Sequence, residues 1–198
     1  MSWTIRNTAP SASNLWYVKT TYGGYNRAIL INSATGECIP NCVGYSFGRF
    51  MEGAGVTSCN LSVGDASTFY GRNDGYVRGQ VPQVGAVMCW GGGYYGGAGH
   101  VCIVEQVIDS NTVITSESNY GGTRWYSKTR YRGADGRWGM SDLFWFQGFI
   151  YNPYASGGVY PPPDPDPHPQ PKPSGFPEIL TYLLPVVIFK KRKKGGIR

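Results

Sequence analysis

In the stretch "CVGYSFGRFMEGAG" that starts at Cys42, apolar and aromatic side chains fall at 43, 45, 47, 50 and 51. That spacing keeps them on one side of a helix. Asn41 stands where a side-chain oxygen can accept a hydrogen bond from a first-turn amide, and Pro40 holds the chain before it extended. The glycines of "GAG" (53–55) end the run. A helix beginning at Cys42 is therefore predicted.

The pattern then changes period. After a loop region around 55–80, "VPQVGAVMCW" (81–90) enters a strand and "GGGYYGGAG" (91–99) reads as a flexible loop with two tyrosines. "HVCIVEQVI" (100–108) and "TVITSES" (112–118) are rich in β-formers and are joined by the turn "DSN". "RWYSKTRY" and "LFWFQGFIYN" supply further short strands. One helix followed by a meander of antiparallel strands is an α+β pattern.

Beyond Tyr154 the composition shifts. "PPPDPDPHPQPKP" (161–173) holds eight prolines, and at ~3.1 Å per residue it is expected to form an extended linker of roughly 40 Å. "FPEILTYLLPVVIF" (176–189) is apolar but carries Pro177, Glu178 and Pro185. It is also shorter than the ~20 residues a membrane-spanning helix needs. The expected organisation is a folded domain over 1–153, a proline-rich linker over 154–175, and a short apolar segment with a polybasic end over 176–198. Such an end suits either an anionic membrane surface or a partner protein.

Charge changes the picture less than its total suggests. The net charge is +6, but six Lys and Arg lie in the last nine residues, "KKRKKGGIR". Removing these six from 18 basic residues leaves 12, which balance the 12 acids. A nucleic-acid reader carries its basic patch on the folded part, so nucleic acid is not expected as a partner. The N-terminal stretch lacks an apolar signal-peptide core, so synthesis in the cytoplasm is expected. Five cysteines, an odd number without such a signal, point to reduced thiols.

Nucleophilic chemistry at a thiol needs a base to take its proton and a third group to orient the base. A helix N-terminus favours a thiolate, and Cys42 stands at one. The chain has two histidines, and His168 lies in the proline stretch, so the base by elimination is His100. If the hairpin turn centres between Asp109 and Ser110, His100 faces Asn119 and Cys102 faces Glu117. His100, Glu117 and Asn119 then share one face of the sheet. A one-residue slip of register breaks this arrangement. Each residue also has a plain role: a cysteine at a helix start packs more often than it reacts, and Glu117 and Asn119 suit a solvated carboxylate and a turn. Cys38 precedes Pro40 outside the helix and is the weaker nucleophile; Cys59, Cys89 and Cys102 read as small buried hydrophobes. No tight paired spacing of Cys and His calls for a metal, and no cofactor is expected.

"GGYN" (23–26), "PNCVGYSFGRF" around Cys42, "GAVMCW" (85–90), "GHVCIVEQV" (99–107), "TSESN" (115–119) and "GFIYNP" (148–153) together resemble the CHAP family. These are the cysteine- and histidine-dependent amidohydrolases/peptidases found in bacteriophage lysins. The resemblance covers about 23–153 and implies a papain-like α+β fold, with a nucleophile helix packed on an antiparallel sheet that carries the histidine. It further implies cleavage of an amide bond in bacterial peptidoglycan, either by an amidase or by a stem or cross-bridge endopeptidase. By resemblance Cys42 is the nucleophile, His100 the general base and acid, Glu117 the orienting residue and Asn119 a further member. Tyr25, Trp90, Tyr94 and Trp125 are candidates to line the substrate groove. The calcium-binding aspartates of some family members have no counterpart in "LINSATGECIPNC", so no metal is carried over. The setting expected is a phage lysin or a virion component acting at the cell wall. A non-catalytic virion or wall-binding protein and a peptidase acting on a protein substrate remain the alternatives.

Overall fold

The computed structural model describes residues 3–18, 30–93 and 96–155. The expected linker beyond residue 155 and the basic tail lie outside these, as do Tyr25 and Tyr94. A short helix α1 (Leu15–Val18) precedes a two-stranded ribbon, β1 (Leu30–Asn32) and β2 (Glu37–Ile39). Helix α2 (Cys42–Ala54) follows, then a 3-10 turn at Ala66–Thr68 and the strands β3 (Arg78–Gly79), β4 (Val87–Gly92), β5 (His100–Asp109), β6 (Thr112–Ser118), β7 (Trp125–Tyr131) and β8 (Phe144–Ile150). The main sheet has the order β3-β8-β4-β5-β6-β7, with every pairing antiparallel. The fold is α+β, a helix with a cysteine at its N-terminus packed on an antiparallel sheet, as a papain-like layout requires.

Helix α2 starts and stops for the reasons its sequence gives. The Asn41 side chain accepts from the Gly44 amide at 2.8 Å, a cap on the scale of ~1 kcal/mol. Gly55 closes the helix with φ +65°, a left-handed turn that a Cβ disfavours. The apolar side of α2 (Val43, Phe47, Phe50, Met51) packs on Val87, Cys89, Val101, Ile103 and Ile150. Met88, Trp90, Cys102, Val104 and Phe149 cover the other face of the sheet together with Trp138 and Phe146. With both faces covered, β4 is buried along its whole length, so it reads as continuous apolar sequence rather than alternation. It begins at Val87, later than the 81–90 run suggests. Gly85 has φ +80°, outside the range of a strand, and Val81 is exposed.

The β5–β6 hairpin reaches the expected register by an unexpected route. Its turn is Ser110–Asn111, with Asp109 paired to Thr112, one residue later than the sequence suggested. Two single-residue bulges in β5, at Ile108 and Glu105, then shift the pairing back. Beyond them Val104 pairs with Thr115 and Ile103 with Ser116, the register that sets His100 across from Asn119. The bulge at Glu105 also switches facing: Val104 and Val107 pack in the same layer, while Glu105 meets Arg49 of α2.

Candidate active site

Cys42 occupies the first position of α2, where helix geometry leaves the amide without an intrahelical partner. His100 opens β5, paired with Trp90 of β4. Just before it, Gly99 has φ +75°, and a Cβ there would lie 2.4 Å from the Trp90 carbonyl and 2.5 Å from the Ser67 amide. Ala98 accepts from that Ser67 amide at 2.8 Å and the Gly99 amide donates to Gly92 at 2.6 Å. The glycine loop is therefore pinned at its end, and only glycine fits the turn that delivers His100. His100 and Cys102 face away from α2, whereas Val101 and Ile103 face it. Because His100 is the first residue of its strand, its imidazole still meets the helix N-terminus at the sheet's end.

His100 Nε2–H donates to Glu117 Oε2 at 2.7 Å, which leaves Nδ1 for the thiol of Cys42. Burial disfavours the charged imidazole, but hydrogen bonding to Cys42 and to Glu117 overrides it and raises the His100 pKa to about 9. Glu117 is fully buried. Burial pushes its carboxyl up, while His100 and Arg130 pull it down further, to about 2. Arg130 Nη2 donates to Oε1 at 2.7 Å and to Oε2 at 2.6 Å, and Thr115 Oγ1 donates to Oε1 at 3.0 Å. Together these groups satisfy the lone pairs of a carboxylate that water does not reach.

The structure thus brings together Cys42, His100 and Glu117. Asn119 is not joined to them by a side-chain bond. Its Oδ1 accepts from the amides of Thr123 at 2.8 Å and Arg124 at 3.0 Å, and its Nδ2 donates to Thr123 Oγ1 at 2.7 Å. The amide is occupied in closing the 119–124 turn, so its predicted place beside His100 holds for position but not for bonding. Trp90 also departs from expectation. It is fully buried, with Nε1 donating to the Trp138 carbonyl at 2.7 Å, so it lies beneath the imidazole rather than along a groove. Trp125 packs beside Tyr17, Cys38 and Tyr45 and lines neither cleft beside Cys42 and His100.

Two clefts meet at the site. One, of about 450 Å³, opens over Asn41, Cys42, Gly64 and Asp65. The other lies beside His100 and is lined by Tyr126, Met140 and Phe144. They share Ala98, Gly99 and Tyr120. Among the described residues the aromatic lining is therefore Tyr120, Tyr126 and Phe144, which the sequence reading missed. Tyr120 alone had a usable signal, standing next to Asn119 before two glycines. Arg130 and Thr115 were also missed, since strand spacing does not show which way a long side chain leans. Among the described residues, no group of three His, Cys, Asp or Glu is placed to hold a metal ion.

Comparison with known proteins finds three likenesses. The family model described as "CHAP domain" matches residues 32–119. A putative hydrolase of Streptococcus mutans serotype c is 42% identical over 59 residues, which are 30% of this chain and 26% of that protein. A crystal structure of an N-acetylmuramoyl-L-alanine amidase from Staphylococcus aureus superposes with a TM-score of 0.41 at 21% identity, over 65% of this chain and 37% of that one. The chain thus spans about a quarter of the relative's length and little more than a third of the amidase's. The span matched by the family model contains Cys42, His100, Glu117 and Asn119.

Proposed function

We propose that this chain is a cysteine hydrolase that cuts an amide bond of bacterial peptidoglycan. The observation that carries the reading is the relay itself: a thiol at a helix N-terminus, an imidazole bonded to it, and a buried carboxylate 2.7 Å from the far ring nitrogen. Proton transfer from Cys42 to His100 leaves a thiolate beside an imidazolium that Glu117 stabilises. The sulfur attacks the carbonyl carbon, and the Cys42 amide, free of helix bonding, faces the developing oxyanion. The C–N bond then breaks as His100 gives its proton to the departing amine. Water, activated by the now neutral imidazole, hydrolyses the thioester and restores the thiol. The two clefts, one over Cys42 and one beside His100, give room for the two halves of the substrate.

The match of residues 32–119 to the CHAP family model, with the resemblance of the motifs, supports peptidoglycan as substrate and action in phage lysis or from the virion. Cys42→Ala tests the reading. It is expected to abolish clearing of purified cell walls while circular dichroism shows a folded protein. Undiminished clearing by that variant would remove Cys42 from the chemistry. Mass spectrometry of the wall digest identifies the bond cut, and an intact wall beside a cleaved protein substrate would favour the protein-peptidase alternative.

A further inference from the structure

Arg130 lies on β7, beyond the residues matched by the family model, and is 3% exposed. Taking a guanidinium out of water costs several kcal/mol unless its surroundings compensate. Here one nitrogen, Nη2, bridges both oxygens of Glu117, and the guanidinium carbon sits 4.7 Å from the centroid of the Trp90 ring, a cation–π contact. Trp90 is itself fixed through Trp138, and its ring lies 6.1 Å from the imidazole of His100. A single buried indole thus backs both cationic partners of Glu117.

His100 is a cation for only part of the reaction proposed above. Once it has passed its proton to the amine, Glu117 would be left as a buried carboxylate without a charged partner, a state that favours taking up a proton or turning away. Arg130 does not lose its charge under these conditions. We infer that Arg130 is a positioning residue, which keeps Glu117 ionised and aimed at His100 Nε2 through the half of the cycle in which the imidazole is neutral. Thr115 holds Oε1, so Oε2 is the oxygen presented to the ring. The other titratable groups facing this cluster are Cys102 of β5, against Arg130 and Glu117, Tyr126 of β7, against Glu117, and Cys42 of α2, against His100. Burial pushes both the Cys102 thiol and the Tyr126 hydroxyl up. Neither therefore supplies a charge in place of Arg130.

This inference rests on the hydrolase reading, and its test separates the two. Arg130→Met is expected to lower kcat on solubilised peptidoglycan fragments by about 100-fold, the upper scale for loss of an orienting partner, with KM little changed. The acid limb of the pH profile should move up by about one unit or more, because Glu117 loses its permanent cation. The Glu117 carboxyl, followed by its 13C shift, should titrate higher by a similar amount. Arg130→Lys should restore most of the acid limb but only part of the rate, since a point charge does not bridge both oxygens. In a Glu117→Gln background, Arg130→Met should cost little more.

Equal fold-losses with and without Glu117, or an unmoved Glu117 titration, would overturn the inference. If Arg130→Met does not fold, Arg130→Lys and the Glu117→Gln/Arg130→Met pair, which removes both buried charges, carry the comparison. If the wild-type protein leaves peptidoglycan intact, the hydrolase reading fails. The Glu117 carboxyl titration in Arg130→Lys and Arg130→Met then still decides what Arg130 does.

Discussion

Two fully buried glutamates stand on neighbouring strands, Glu105 on β5 and Glu117 on β6, and each meets a buried arginine. Glu105 faces α2. Arg49 clasps it with Nε at 2.8 Å and Nη2 at 2.7 Å, and Ser116 Oγ, Trp3 Nε1 and the Arg6 amide complete its shell. Tyr45 of α2 adds to the same chain by donating to Ser116 Oγ at 2.7 Å. None of those donors changes charge near neutral pH. Glu117 faces the other layer, where one of its partners is an imidazole that gains and loses a proton. An identical side chain thus clamps the helix to the sheet on one face and, in the proposed reaction, supports the proton transfers of His100 on the other. What distinguishes them is the partner, not the burial.

The sharpest way to break this comparison is to neutralise each carboxylate's function in turn. Glu117→Gln keeps the shape but removes the charge that stabilises the imidazolium. We expect wall hydrolysis to fall by about two orders of magnitude or more, measured as initial rate per folded molecule. On the other face, Arg49→Met leaves Glu105 buried without its cation, at a cost of ~3–5 kcal/mol. For a domain of this size that lowers Tm by about 10 °C. The rate per folded molecule at low temperature should stay near wild type, because Arg49 touches neither cleft beside Cys42. If Arg49→Met instead reduced kcat as strongly as Glu117→Gln, the division between clamp and relay would be wrong.

Dependence on pH separates the two networks by a smaller effect. His100 is raised from 6.5 to about 9, so the stability it contributes is complete below pH 6.5 and is lost as pH rises through 9. Glu117 is lowered from 4.5 to about 2, so its contribution is complete above pH 4.5 and is lost as pH falls through 2. Tm is therefore expected to be highest between these windows and to decline on the alkaline side first. His100→Gln should flatten the alkaline decline, whereas Arg49→Met should lower the whole curve. Hydrolysis should also fall above about pH 9, where no proton remains on His100 for the leaving amine. An alkaline decline that survives His100→Gln would assign it to another group.

The same contrast explains how far the sequence could be read. Helix α2 was legible because its cap, its apolar stripe and its stop lie within 15 residues of one another, Asn41 to Gly55. The facing of His100 and Glu117 was legible too, although the turn that set it was placed one residue early. Bulges at Ile108 and Glu105 compensate, and no local signal marks a residue that leaves a ladder unpaired. Glu105 was not legible at all: a glutamate in "IVEQV" reads as a solvated face. Only α2 folding over it reveals Arg49 as its partner. Arg130 was hidden for a similar reason. It pairs in register with Val113, four residues from Glu117, and the length of its side chain, not strand pairing, closes the gap.

Asn119 offers the finest test, because position and bonding disagree there. Its backbone lies on the face that carries His100, and it lines the cleft beside the imidazole. Its side chain nevertheless holds Thr123 and Arg124, bracing the turn that presents Tyr120 to both clefts. Asn119→Ala removes those bonds, each worth ~1 kcal/mol, and should loosen the turn. The expected result is a lower Tm and a KM about two- to threefold higher, since Tyr120 is less well placed, with kcat almost unchanged. Asn119→Asp retains Oδ1 as acceptor for both amides and should recover most of that loss. A kcat falling in Asn119→Ala as far as in Glu117→Gln, and not recovered by Asn119→Asp, would return Asn119 to the imidazole and make the relay a four-membered one.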